Sequence, residues 1–165
     1  MRLGTQCGTV SLLPVGYQYP ALAARGEHDW DANWLVIGGE ICTDDGHTWS
    51  FTEPCMTTWE AARLGEWLWK VLSGGVEPVR ADGPADDDRV LAFTEPTLAF
   101  GLLRRRGEDV VLRVHLSLES PDDEAGDENT RAGRLDHVVP VVVSRADLAT
   151  AARSWDDELA VFPSR

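Results

Sequence analysis

The spacing of apolar and polar positions changes period several times along the chain, and each change marks an element. Residues 9–13 are an apolar, β-branched run that halts at Pro14 and resumes in extended character through Pro20, which predicts an opening strand with a kink. Tyr17 and Tyr19 stand two apart, so on a continuous strand they share one face in a packing role. Residues 21–28 read as a polar loop. From 32 to 43 the alternation is imperfect: Trp34, Val36 and Gly38 fall on one side, while Leu35 and Ile37 add apolar character to the other, the pattern of a strand covered on both faces. Asp44-Asp45-Gly46 supplies turn chemistry, and the strand over 47–52 places Trp49 and Phe51 on a common face. These two strands are expected to pair as an antiparallel hairpin that Glu53-Pro54 stops.

The period then becomes helical. Ala61, Leu64, Leu68 and Val71, with Trp67 beside them, form an apolar stripe behind a Thr57/Glu60 capping box, and Gly74-Gly75 ends the helix. Gly65 sits inside this helix at a cost of about 1 kcal/mol relative to alanine. Residues 77–88 hold two prolines, a glycine and four aspartates, and read as an exposed, mobile loop. Three strands follow, over 89–94, 97–105 and 109–119. In the last of them Val110, Leu112, Val114, Leu116 and Leu118 alternate with more polar positions, as on a sheet with one face in the core. Residues 106–108 form the turn before it. Residues 120–133 are an acidic, solvated loop. A final strand over 135–143 contains Pro140, which donates no ladder hydrogen bond and so belongs at an edge or a bulge. Ser144 caps a helix over 145–159 whose Leu148, Ala152, Trp155 and Leu159 keep helical spacing, with Phe162 just beyond.

The order β-β-β-α-β-β-β-β-α predicts an α+β fold: a mainly antiparallel, curved or sandwich-like sheet of about seven strands with two helices packed on it. Helices between the strands, which a parallel sheet needs, are mostly missing. A length of 165 residues fits a single domain over 1–165 that buries roughly two-thirds of the unfolded chain's surface, enough for a core without staples. Cys7, Cys42 and Cys55 lack paired metal or redox spacing and read as small buried apolar residues.

Charge narrows the partners. The formal net charge is −13 and Lys70 is the single lysine, so nucleic acid is not an expected partner, because phosphate binding requires clustered basic residues. With neither an apolar run of signal-peptide length nor one that would span a membrane, a soluble, cytoplasmic protein is expected. A basic partner would be steered towards this chain by long-range attraction.

Catalytic signatures are absent: no phosphate loop, no dinucleotide-binding glycine pattern and no nucleophile elbow occurs. No catalytic, cofactor-binding or metal-binding residue is assigned. His28, His47, His115 and His137 do not form a predictable zinc spacing, although His115 and His137 would be neighbours if the last strands pair. Phe51-Thr52-Glu53-Pro54 recurs as Phe93-Thr94-Glu95-Pro96; a shared way of ending a strand accounts for both, and an acid–base pair is the competing reading. Asp29-Trp30-Asp31 mixes acids with an indole, as contact surfaces do, whereas Asp31 and Asn33 also suit turn closure. The candidate partner-binding residues are Asp29, Trp30 and Asp31, with Asp86, Asp87 and Asp88 of one acidic loop and Asp122, Asp123, Glu124, Asp127 and Glu128 of the other.

Several blocks carry a family resemblance: Gly16-Tyr17-Gln18-Tyr19-Pro20, Asp29-Trp30-Asp31-Ala32-Asn33-Trp34-Leu35-Val36, Trp49-Ser50-Phe51, Pro54-Cys55-Met56-Thr57-Thr58-Trp59-Glu60, Glu95-Pro96-Thr97-Leu98-Ala99-Phe100 and Val114-His115-Leu116-Ser117-Leu118-Glu119. From Gly16 to the final helix the chain resembles the WapI family, actinobacterial small proteins grouped with the immunity proteins of wall-associated contact toxins. The resemblance implies a cytoplasmic, non-enzymatic antitoxin that binds and occludes a toxin domain, with no catalytic residues to transfer. Acidity fits that role, since a nuclease toxin presents a basic cleft. Two other classes stay open: an enzyme using His115, His137, Glu53 or Glu95 on a concave sheet face, and a carrier of a small apolar ligand.

Overall fold

Two antiparallel meanders carry the chain. The first contains β1 (Arg2–Leu3), β2 (Thr9–Tyr17), β3 (Trp34–Cys42) and β4 (Thr48–Thr57) in the order β1-β2-β3-β4. The second contains β5 (Leu91–Ala92), β6 (Leu98–Arg106), β7 (Asp109–Leu118) and β8 (Leu135–Ser144) in the order β5-β6-β7-β8. Three helices complete the set: α1 (Trp30–Asn33), α2 (Thr58–Ser73) and α3 (Arg145–Leu159). The structure is a computed structural model that describes residues 1–5, 8–22, 29–81, 88–95, 97–118 and 135–165. The fold is α+β and antiparallel, as the sequence predicts, and the described residues hold eight strands rather than about seven and three helices rather than two.

The inward residues of both sheets and the apolar stripes of α2 and α3 form one core. Leu12, Leu35, Ile37 and Met56 from the first sheet meet Phe100, Leu112, Val114 and Val141 from the second, together with Leu64, Leu68, Leu148 and Trp155 from the helices. The helices lock to each other where the buried Trp155 Nε1 donates to the Ala61 carbonyl at 2.8 Å, so the one polar atom of a large core side chain is satisfied.

Helix α2 begins and ends as its sequence specifies. Thr57 is the N-cap, its hydroxyl accepting from the Glu60 N–H while Glu60 accepts from the Thr57 N–H. Gly74 takes the left-handed conformation at φ 88° and returns its N–H to the last turn. Two arginines reinforce that end: Arg105 donates to the Val76 carbonyl at 2.9 Å and Arg145 to the Leu72 carbonyl at 2.6 Å, placing cations where the helix dipole is negative.

Several expectations change. Glu53-Pro54 does not stop a strand: β4 runs through it to Thr57. β4 is an edge strand, where a residue without an N–H is tolerated, and the register with β3 shifts beside Pro54, between Leu35 and Val36. Pro140 lies on the other edge strand, β8, as its chemistry requires. The kink expected in the opening strand is a register shift between Pro14 and Gly16. β2 ends at Tyr17, so Tyr19 does not share its face; Tyr17 packs on the core, whereas Tyr19 is 48% exposed. Only one face of β3 is fully covered, and Trp34, Val36 and Gly38 on the outer side are half-buried. The strand expected over 89–94 shrinks to Leu91–Ala92. Within the loop expected over 77–88, Val79 is buried instead of exposed; it joins Val90, Ala99 and Leu103 in a small second cluster, and its N–H donates to the Leu102 carbonyl at 2.7 Å. Residues 82–87 of that segment and the acidic stretch 120–133 lie outside the described residues.

Candidate functional site

The entrance to β3 is built around one buried amide. Asn33 is fully buried, and its side chain makes four hydrogen bonds, as many as an amide can. Nδ2 donates to the Asp29 carbonyl at 2.7 Å and to the Arg165 carbonyl at 2.9 Å, while Oδ1 accepts from Thr58 Oγ1 and from the Arg165 N–H, both at 2.9 Å. Asn33 thereby ties the short helix α1, the first turn of α2 and the C-terminal segment into one unit. Asp29 is the N-cap of α1, accepting from the Ala32 N–H. The structural reading of Asn33 holds, and Asp29 is itself structural in part.

Beside this knot two side chains, Trp30 and Asp31, are exposed. Trp30 is 50% exposed and rests edge-on against Trp59, with ring centroids 5.5 Å apart. Asp31 is exposed and has no hydrogen-bond or ion-pair partner among the described residues. It lines an open recess of about 590 Å³ together with Gln18, Tyr19, Pro20, Ala21 and Leu22. This 18–22 segment is braced by Arg165, whose guanidinium lies 3.5 Å from the Tyr17 ring centroid and donates to the Pro20 carbonyl at 3.2 Å and the Leu22 carbonyl at 3.3 Å.

Asp88 is exposed, in the turn preceding β5. Asp86, Asp87, Asp122, Asp123, Glu124, Asp127 and Glu128 lie outside the described residues.

The two Phe-Thr-Glu-Pro copies do converge, on a buried thiol. Burial is the main cause that pushes the Cys55 thiol up to about 12, the carboxylates of Glu53 and Glu95 add to it, and a hydrogen bond with Thr97 opposes it. Cys55 and Thr97 follow the proline in the first and second copy respectively, so equivalent positions of the two copies meet. Glu60, in the first turn of α2, also accepts the Thr94 N–H of the second copy. His115 and His137 do not converge: register sets His115 opposite Val138 and His137 opposite Leu116, which puts them on opposite faces, while His28 lies outside the described residues. His137 instead lies against Trp49, ring centroids 5.3 Å apart. Among the described residues, no three His, Cys, Asp or Glu side chains group as metal ligands would. No described helix is long and apolar enough to cross a membrane.

Asp29, Trp30 and Asp31 are singled out by the sequence, but the wall of the recess at residues 18–22 is not. The signal was available, since Gln18-Tyr19-Pro20 sits in one of the family-like blocks, but the pairing of that block with Asp31 depends on the β2–β3 register and on Arg165. No curated protein matches the chain. The family model described as Immunity protein WapI-like family matches residues 1–163. By that match the chain belongs to the WapI-like immunity protein family.

Proposed function

We propose that this protein is an antitoxin of the immunity type, which neutralises a cognate contact toxin by binding it and occluding its working surface. The family match over residues 1–163 carries this reading. It implies a protein partner; the basic nature of that partner is our inference from the net charge of −13, which steers a cationic cleft towards the chain and disfavours nucleic acid as a ligand. Action takes place in the cytoplasm of the producing cell, and protection is stoichiometric and needs no turnover.

The contact surface in this reading comprises Asp29, Trp30 and Asp31, with Asp88 and the acidic positions Asp86, Asp87, Asp122, Asp123, Glu124, Asp127 and Glu128 steering approach. Trp30 has the character of an interface anchor, a large half-exposed aromatic ring already held in one orientation by Trp59. The test is co-production with the toxin domain encoded beside its gene. Protection of growth and a one-to-one complex are expected, with complex formation falling steeply as salt is raised. A purified protein that neither binds that toxin nor protects against it ends this reading.

A further inference from the structure

We propose that the recess between residues 18–22 and Asp31 is a receptor for a cationic side chain, an arginine or a lysine, presented by the partner protein. The proposal rests on the immunity reading for the source of that side chain and on the recess itself for the chemistry.

Three observations carry it. The recess, at about 590 Å³, has room for a long side chain, and its walls are aromatic and aliphatic with Asp31 as the one charged group among the described lining residues. That carboxylate is exposed and unpaired among the described residues, so an incoming cation displaces no internal partner. Tyr19 contributes a ring that is 48% exposed, and a cation over an aromatic face is attracted by the ring quadrupole.

The same segment already holds a guanidinium. Arg165 stacks on Tyr17 and donates to the carbonyls of Pro20 and Leu22, an aromatic ring plus oxygen acceptors. Tyr19 and Asp31 offer the same combination at the recess, with a full negative charge in place of carbonyl dipoles. The wall is also preorganised, since Asp31 belongs to α1, whose position Asn33 fixes by four hydrogen bonds. A wall that is already ordered loses little freedom on binding.

Titration of the ¹⁵N-labelled 165-residue protein with Nα-acetyl-arginine methylamide, and in parallel with the uncharged Nα-acetyl-norleucine methylamide, tests this directly. Saturating shifts are expected at the amides of residues 19, 21, 22 and 31, with arginine binding at least about threefold tighter than norleucine, the scale of an exposed ion pair. Asp31→Asn should abolish the difference, Tyr19→Ala should weaken arginine binding by a similar factor, and Tyr19→Phe, which keeps the ring, should preserve it. Equal binding of the two probes, or an arginine preference that survives Asp31→Asn in a variant with an unchanged spectrum, overturns the proposal. No toxin enters this experiment, so its failure leaves the immunity reading standing, and failed protection leaves a positive titration standing.

Discussion

Glu60 reaches from the first turn of α2 to the segment before β6, its Oε1 accepting the Thr94 backbone N–H at 2.6 Å. Its Oε2 meanwhile accepts from the N–H and hydroxyl of Thr57 at 2.8 and 3.1 Å. A residue that sequence patterning assigns to a helix cap is therefore also the strap between the two sheets. Glu60 is only 5% exposed and Thr57 is fully buried, so the Thr57 donors have no easy substitute in water, whereas Thr94 is exposed. Glu60→Gln keeps the shape but turns one acceptor oxygen into a donor facing a donor. We expect it to lower stability by about 1–3 kcal/mol, seen as a drop in urea midpoint with an unchanged slope. A change below about 0.5 kcal/mol would show that the strap contributes little.

Asn33 gives a second, sharper prediction, because its four hydrogen bonds fix which end of the amide is which. Asn33→Ala leaves two carbonyls, an N–H and a hydroxyl to find new partners, for a loss of about 2–4 kcal/mol. Asn33→Asp is nearly isosteric, yet it points a carboxylate oxygen at the carbonyls of Asp29 and Arg165. At neutral pH it should be at least as damaging as alanine. Thermal denaturation of both variants checks the order; an aspartate variant as stable as the parent would refute the assignment.

Gly65 looks wasteful on propensity alone, and the structure explains why it is there. A Cβ at this position would lie 2.7 Å from Asp156 Oδ1 and 3.3 Å from Trp155 Cδ1, so the residue lets α3 cross close to α2. Asp156 has little freedom to yield, because its other oxygen accepts from Trp69 Nε1 at 2.8 Å. Gly65→Ala should therefore destabilise despite the gain of about 1 kcal/mol in helix propensity, and should become neutral or stabilising in an Asp156→Ala background. Denaturation of the four proteins in the cycle measures the coupling.

The Cys55 thiol ties stability to alkaline pH. Burial first, and the nearby Glu53 and Glu95 carboxylates second, raise it from 9.0 to about 12 in the folded chain. The unfolded chain releases this proton at the ordinary thiol value, so the contribution is fully present below about pH 9 and is lost as pH rises from about 9 towards 12. Cys55→Ala should flatten that part of the stability profile by up to about 1.4 kcal/mol per pH unit. The same burial predicts that iodoacetamide labels Cys55 at pH 8 only once the protein unfolds, whereas the half-buried Cys42 is modified first. Mass mapping of the labelled peptides decides it.

Elements with an unbroken period were legible in the sequence. The α2 stripe, its capping box and its glycine terminus are local, and each follows from residues within one or two turns of one another. The alternation of β7 is equally local, since one face of the strand is in the core. Pro54 misled because proline stops a strand only when its N–H is needed, and that depends on whether the strand has a neighbour on that side, which is a tertiary fact. α1 was hidden because four residues are too few for a periodic signal, and a turn-closing Asp looks the same as an N-cap. Trp30 and Asp31 could be read as exposed chemistry, but the segment 18–22 that lines the recess with Asp31 comes from across the β2–β3 pairing. The meeting of the two Phe-Thr-Glu-Pro copies at Cys55 likewise requires both sheets to be in place.

The ends of the two sheets share a plan with consequences for how the protein behaves at high concentration. Each sheet finishes on one side in a strand of two residues, β1 or β5, and on the other in a ten-residue strand interrupted by proline, Pro54 in β4 or Pro140 in β8. A two-residue strand is a poor template for a newcomer, and a proline denies it one donor in mid-ladder. Both sheets are thus open in shape yet closed to extension, and copies accumulating in excess of any partner have no ready edge along which to stack into fibres.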